Sequence, residues 1–132
     1  MRTRKMQQGF TLVEIMIVVA IIALLAAIAI PNLLRAKMTS NDALAKATLR
    51  AMSTAAESYG TSNNGNFPGD INSLTTAVPA FLNTNYCSGN WAGYTYNCTM
   101  SSSGYSIAAV PVNVGTTGST TETISTGGVL VP

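Results

Sequence analysis

From Phe10 to Ile30 the chain runs through 21 residues, of which Glu14 alone is charged. Wound as a helix, such a run is about 30 Å long, close to the hydrocarbon thickness of a bilayer. One carboxylate inside it costs about 2.5–3.5 kcal/mol at the helix centre and less near the end. A helix N-terminus favours a carboxylate in its first turns, which offsets part of that cost. A residue this expensive to insert calls for a cationic partner. The candidate is a free amino terminus made by cutting after Gly9.

The charge balance points the same way. The formal charge of +2 rests on Arg2, Arg4 and Lys5 at the N-terminus. Without residues 1–9, four basic side chains (Arg35, Lys37, Lys46, Arg50) face five acidic ones (Glu14, Asp42, Glu57, Asp70, Glu122), a side-chain net charge of −1. Nucleic-acid binding loses its electrostatic support, and no nucleic-acid partner is expected. The basic leader should stay cytoplasmic and send the C-terminus outward. Two other readings compete. Ala27-Ile28-Ala29 offers a cleavage site for an ordinary secretory signal peptide, but the apolar run is longer than such a signal needs, holds Glu14, and passes into further helix-forming sequence. An anchor that is never cut leaves Glu14 without a partner.

Gly9-Phe10-Thr11-Leu12-Val13-Glu14 behind a short basic leader resembles the class III signal of type IV pilins and type II secretion pseudopilins. The resemblance is close over residues 1–35 and is most like a short major type IV pilin. It implies that a prepilin peptidase cuts between Gly9 and Phe10 and methylates the Phe10 amine. It also implies that Glu14 pairs with a neighbouring subunit's N-terminal amine during assembly, and that Pro31 stands at the family's helix-kinking proline. By the same resemblance the partners are further copies of this chain in a helical homopolymer, the prepilin peptidase, an assembly ATPase and a platform protein.

Pro31 removes one intrahelical hydrogen bond, so a bend near Ala27–Pro31 is expected. Asn32 to Tyr59 contains no Gly or Pro and is rich in good helix formers. Leu49, Met52, Ala56 and Tyr59 recur at helical spacing as one face, flanked by Leu44, Ala45 and Ala55, while Lys46, Arg50, Ser53 and Glu57 form another. Gly60 is the expected C-cap, with Thr61 to Asn66 as a polar turn. The helix would hold about 50 residues over about 75 Å. A domain this small cannot bury that length, so part of the helix must enter a membrane or a partner.

Residues 61–93 read as a connecting loop with one short helix over about Ile71–Ala77, capped by Asp70 and ended by Pro79. Phe67, Ile71, Leu74, Phe81 and Leu82 are its expected anchors. Residues 94–132 alternate as strands do: Tyr94 to about Met100, Tyr105 to Val112, Glu122 to Ser125, and a short Val129–Val131. Tyr105-x-Ile107-x-Ala109-x-Pro111, the Gly115–Gly118 turn and the final Gly128-Val129-Leu130 resemble the small sheet of short pilins. The fold class is therefore α+β: a long N-terminal helix, membrane-spanning over 10–30 and amphipathic over 31–60, packed on an antiparallel sheet of three to four strands.

The chain has no histidine, so a Ser-His-Asp triad is impossible. No nucleophile–base pair, phosphate loop or shared carboxylate site is visible, and the chain reads as no enzyme and as needing no cofactor. Cys87 and Cys98 have ten residues between them and no flanking metal ligands. A zinc site is not expected, and in an exported chain this pair favours a disulfide. Asp70 and Glu122 read as isolated carboxylates, solvated or capping. The stretch Gly115 to Gly128 holds only Glu122, so the calcium loop of some pseudopilins is not expected. Asn97-Cys98-Thr99 fits a glycosylation sequon, against the plainer reading of a strand beside a disulfide. The expected role is a structural subunit of a type IV pilus, held first in the bacterial inner membrane with a cytoplasmic N-terminus and then in an extracellular filament. The rivals are a major pseudopilin of a type II secretion system and a minor pilin acting as a tip binding module.

Overall fold

The computed structural model describes residues 9–132. The leader reading of residues 1–8 lies outside them. The chain divides into two compact units, one ending at Leu34 and one covering Arg35–Pro132. Helix α1, Leu12–Ser62, supplies residues to both and holds Pro31 inside it.

In the first unit every described residue is exposed except Ala26, which is half-exposed. Phe10, Leu12, Met16, Ile22, Leu25 and Ile30 all show large apolar surfaces. Among the described residues, α1 is the one helix long and apolar enough to cross a membrane, and none of its apolar window is buried within the chain. Water does not tolerate that much contiguous apolar surface, so lipid or other protein must cover it.

The second unit builds a core of its own. Five strands follow in a simple antiparallel meander, β1 (Asn90–Trp91), β2 (Tyr94–Ser101), β3 (Gly104–Pro111), β4 (Glu122–Ser125) and β5 (Val129–Val131). Ala45, Leu49, Met52, Ala55 and Ala56 of α1 share one buried cluster with Tyr94, Tyr96, Tyr105, Ile107, Ala109 and Ile124 of the sheet. The period of 2 in Tyr105, Ile107 and Ala109 puts all three on the buried face. Ile71 and Leu74 complete the cluster from the connecting segment, and Phe67, Phe81 and Leu82 pack against it. Edge-to-face pairs of Tyr59 with Phe81 (5.5 Å between centroids) and Phe67 with Tyr105 (5.7 Å) fix that segment in place.

Several expectations need correction. The sheet has five strands rather than three to four, because β1 pairs with β2 inside the stretch read as loop, Asn90 opposite Thr95 and Trp91 opposite Tyr94. Ala92 (φ 50°) and Gly93 (φ 79°) join them. Positive φ at both central positions is the type I′ hairpin turn, and Ala is a poor sequence marker for it. The short helix α2 is only Asn72–Thr75, not Ile71–Ala77. Gly60 is no C-cap: α1 continues to Ser62, and the left-handed residue beyond it is Asn64 (φ 54°). Gly60 is instead buried against Phe67, whose ring carbon would lie 3.3 Å from any Cβ added there. Leu44, expected to flank the buried face, is exposed.

Candidate functional site

The N-terminal motif enters α1 through a reciprocal cap. Thr11 stands at the N-cap and Glu14 three residues on. The Thr11 N–H donates to Glu14 Oε2 (2.8 Å), the Thr11 hydroxyl donates to the same oxygen (2.8 Å), and the Glu14 N–H donates to Thr11 Oγ1 (3.2 Å). This arrangement satisfies donors that the first turn otherwise leaves unpaired. It is the part of the site that the reading of the sequence missed, although Thr-x-x-Glu before an apolar run is its signature. Of the site residues expected from the sequence, Gly9 and Phe10 precede the helix and are exposed. Among the described residues none comes within 4 Å of the place a Gly9 side chain would take. Pro31 lies 17 residues after Glu14, about 26 Å along a helix axis. The fold therefore does not bring Pro31 to the Phe10–Glu14 end.

A second set of polar residues ties α1 to the loops of the sheet. Asp42 Oδ1 accepts from the Tyr94 hydroxyl (2.7 Å) and from the Ser119 N–H (3.1 Å), and Asp42 Oδ2 accepts from the Ser119 hydroxyl. Asn41 donates to the Thr117 carbonyl (2.7 Å). The Ser53 and Tyr105 hydroxyls lie 2.7 Å apart, Tyr105 donates on to Glu57 Oε1 (2.8 Å), and the Gly127 N–H donates to that same oxygen (2.7 Å). Lys46 lies 3.1 Å from Glu122, whose side chain is almost fully buried. Two expectations are corrected here. Lys46, Ser53 and Glu57, read as a separate polar face, dock onto the sheet, leaving Arg50 exposed. Glu122 is neither isolated nor solvated, since burial of a carboxylate demands the cation it has.

These contacts set the titration of the groups. Desolvation alone would raise the Asp42 pKa, but the Ser119 hydroxyl, the Tyr94 hydroxyl, the Ser119 N–H and the charge of Lys46 outweigh it and hold the carboxyl below its usual range. Burial first, then the Asp42 carboxylate, pushes the Tyr94 hydroxyl well above its ordinary value. Burial likewise raises Tyr96 and Tyr105. Asp70 is expected from the sequence to cap the short helix, but the N-cap of α2 is Ile71, which makes no side-chain cap bond; Asp70 Oδ1 accepts instead from the Ser73 hydroxyl (2.6 Å) and N–H (2.8 Å), which lowers its pKa.

Cys87 and Cys98 are joined by a disulfide with Cα atoms 5.9 Å apart. It lines an open cleft of about 370 Å³ with Gly69, Asp70, Ile71, Thr99 and Met100. Among the described residues lining that cleft Asp70 is the one charged group, and they offer no nucleophile–base pair. Among the described residues no group of three or more Cys, Asp or Glu side chains is placed to hold a metal ion.

Residues 4–30 match the family described as "Prokaryotic N-terminal methylation motif". The first stretch of this chain is thus a methylation motif of the prepilin type, and the chain is homologous over part of its length to type IV major pilins and to type II secretion core protein G. It is 54% identical over 52 residues to the type IV major pilin protein PilA of Myxococcus xanthus, covering 39% of this chain and 24% of that protein. It is 49% identical over 57 residues to the type IV wide pilus major component PilA4 of Thermus thermophilus, covering 43% of this chain and 44% of that protein. It is 35% identical over 80 residues to the type II secretion system core protein G of Escherichia coli, covering 61% of this chain and 54% of that protein. The matches to the two pilins span less than half of each pilin's length. No solved structure matches the chain significantly.

Proposed function

We propose that this chain is a non-enzymatic structural subunit of a type IV pilus, polymerising through the first half of α1 into an extracellular helical filament. The observation that carries the reading is a half-helix with none of its apolar window buried, entered through a capped carboxylate, within residues that match a methylation motif. In this reading a prepilin peptidase cuts between Gly9 and Phe10, at a position with no side chain to obstruct close approach to the backbone. The Phe10 amine is methylated. Phe10, Glu14 and Pro31 then serve assembly, with Glu14 meeting the Phe10 ammonium of a neighbouring copy. Before assembly the subunit waits in the inner membrane with its N-terminus cytoplasmic, and an ATPase and a platform protein drive its transfer to the filament.

N-terminal sequencing of the processed protein tests this. It should begin at methylated Phe10, and a start at Ile30 would replace the whole reading with ordinary secretion. The second reading is a major pseudopilin, supported by the match to core protein G, which covers more of this chain than the two pilin matches do. Long surface fibres that vanish on deletion favour the pilus. Their absence, with loss of secreted proteins, favours the pseudopilus.

A further inference from the structure

We infer that Thr11 is a positioning residue for Glu14, holding one carboxylate oxygen so that the other is left for the incoming ammonium. This inference rests on the assembly role proposed for Glu14. The geometry assigns the two oxygens different work. Oε2 accepts both Thr11 hydrogen bonds, while Oε1 makes none among the described residues. The carboxylate is therefore half satisfied within its own subunit. Its charge is carried in the waiting state without a second chain, and the Thr11 hydroxyl and N–H are both paired instead of facing hydrocarbon.

Processing leaves this arrangement intact. The bond that breaks lies between Gly9 and Phe10, so the Thr11 nitrogen remains an amide N–H after cleavage. A methylated Phe10 ammonium keeps two N–H donors and can engage Oε1 while Oε2 stays with Thr11. Thr11 thus fixes the carboxylate in one place on the first turn, and a neighbour's amine meets an oriented acceptor rather than a mobile side chain. Preorganisation of this kind favours association by removing ordering that binding would otherwise have to supply.

The test uses the full chain in cells that carry its assembly machinery. Three quantities are followed: the cleaved fraction, the membrane pool, and the fibre yield. Thr11→Val keeps the shape and deletes the hydroxyl. It should be cleaved and accumulate in the membrane like wild type, with fibre yield down about fivefold if the ordering lost is about what one N-cap contributes. Thr11→Ser restores the hydroxyl and should return the yield to within about twofold of wild type. On a Glu14→Asp background, where the shorter side chain already strains both contacts, Thr11→Val should lower the yield by less than about twofold more, since non-additivity marks groups that act together. Wild-type yield from Thr11→Val overturns the inference, as does failure of Thr11→Ser to restore it, or a full further fivefold loss on Glu14→Asp. Wild-type fibres from Glu14→Val would instead remove the ion pair itself, which separates failure of the underlying reading from failure of this one.

Discussion

The two units of this chain solve opposite problems with one helix. Up to Leu34 it shows its large apolar side chains to the outside, and its one carboxylate is held by a cap within its own first turn. From Arg35 on, the same helix buries Leu49 and Met52 completely and uses its polar residues to grip a sheet. The first unit is unfinished by itself, and its stability is a property of what surrounds it. The second carries its stability within its own contacts. A substitution should therefore act through assembly in the first unit and through folding in the second.

That contrast is open to measurement. The largest effect is expected from Glu14→Val, which removes the charge proposed to set subunit register. It should insert well, since an apolar residue lowers the cost of insertion, and still be cleaved, yet fibre yield relative to membrane pool should fall more than about tenfold. Normal fibre numbers would show that apolar packing alone sets register. Next comes Leu49→Ala, which empties a fully buried position and should cost about 2–5 kcal/mol in denaturant unfolding of the full chain in micelles, with cleavage unchanged. Cys87→Ser should cost about 3 kcal/mol by loop entropy and lower fibre yield through stability, and intact mass after alkylation with and without reductant reports the bridge directly. Lys46→Ala leaves the Glu122 carboxylate buried without its cation and should cost about 1–3 kcal/mol; no change in unfolding midpoint would mean that the Thr120 hydroxyl, which donates to Glu122 Oε1 (3.1 Å), and water suffice. The smallest effect belongs to Asp42. Its folded pKa is lowered, so its contribution is present above the unfolded carboxylate value and is lost as pH falls through the folded one. Asp42→Asn should flatten the stability profile below about pH 4, by less than about 1 kcal/mol, in unfolding titrations repeated across pH.

What was legible in the sequence follows the physical range of each interaction. The apolar run and the strands from Tyr94 onward announce themselves through periods of 3.6 and 2, which need only neighbouring residues. The cap between Thr11 and Glu14 is equally local and was there to be read as Thr-x-x-Glu. Other features depend on partners far along the chain. Glu122 is buried because Lys46 of α1 reaches it, and nothing near Glu122 signals that. Gly60 looks like a helix terminator and is a seat for the Phe67 ring. Strand β1 hides behind Ala92, which adopts a backbone conformation that its residue type rarely advertises.

The grip of α1 on the loops has a consequence for how this protein can change over time. Asp42 holds the main-chain N–H of Ser119 and Glu57 holds that of Gly127. Every residue type but proline offers a main-chain N–H. Where attachment is read from the backbone, the loop side chains that do not themselves touch α1, unlike the Ser119 hydroxyl on Asp42, are free to be rewritten by mutation, and the surface they make can diverge while the sheet stays fastened to the helix beneath it.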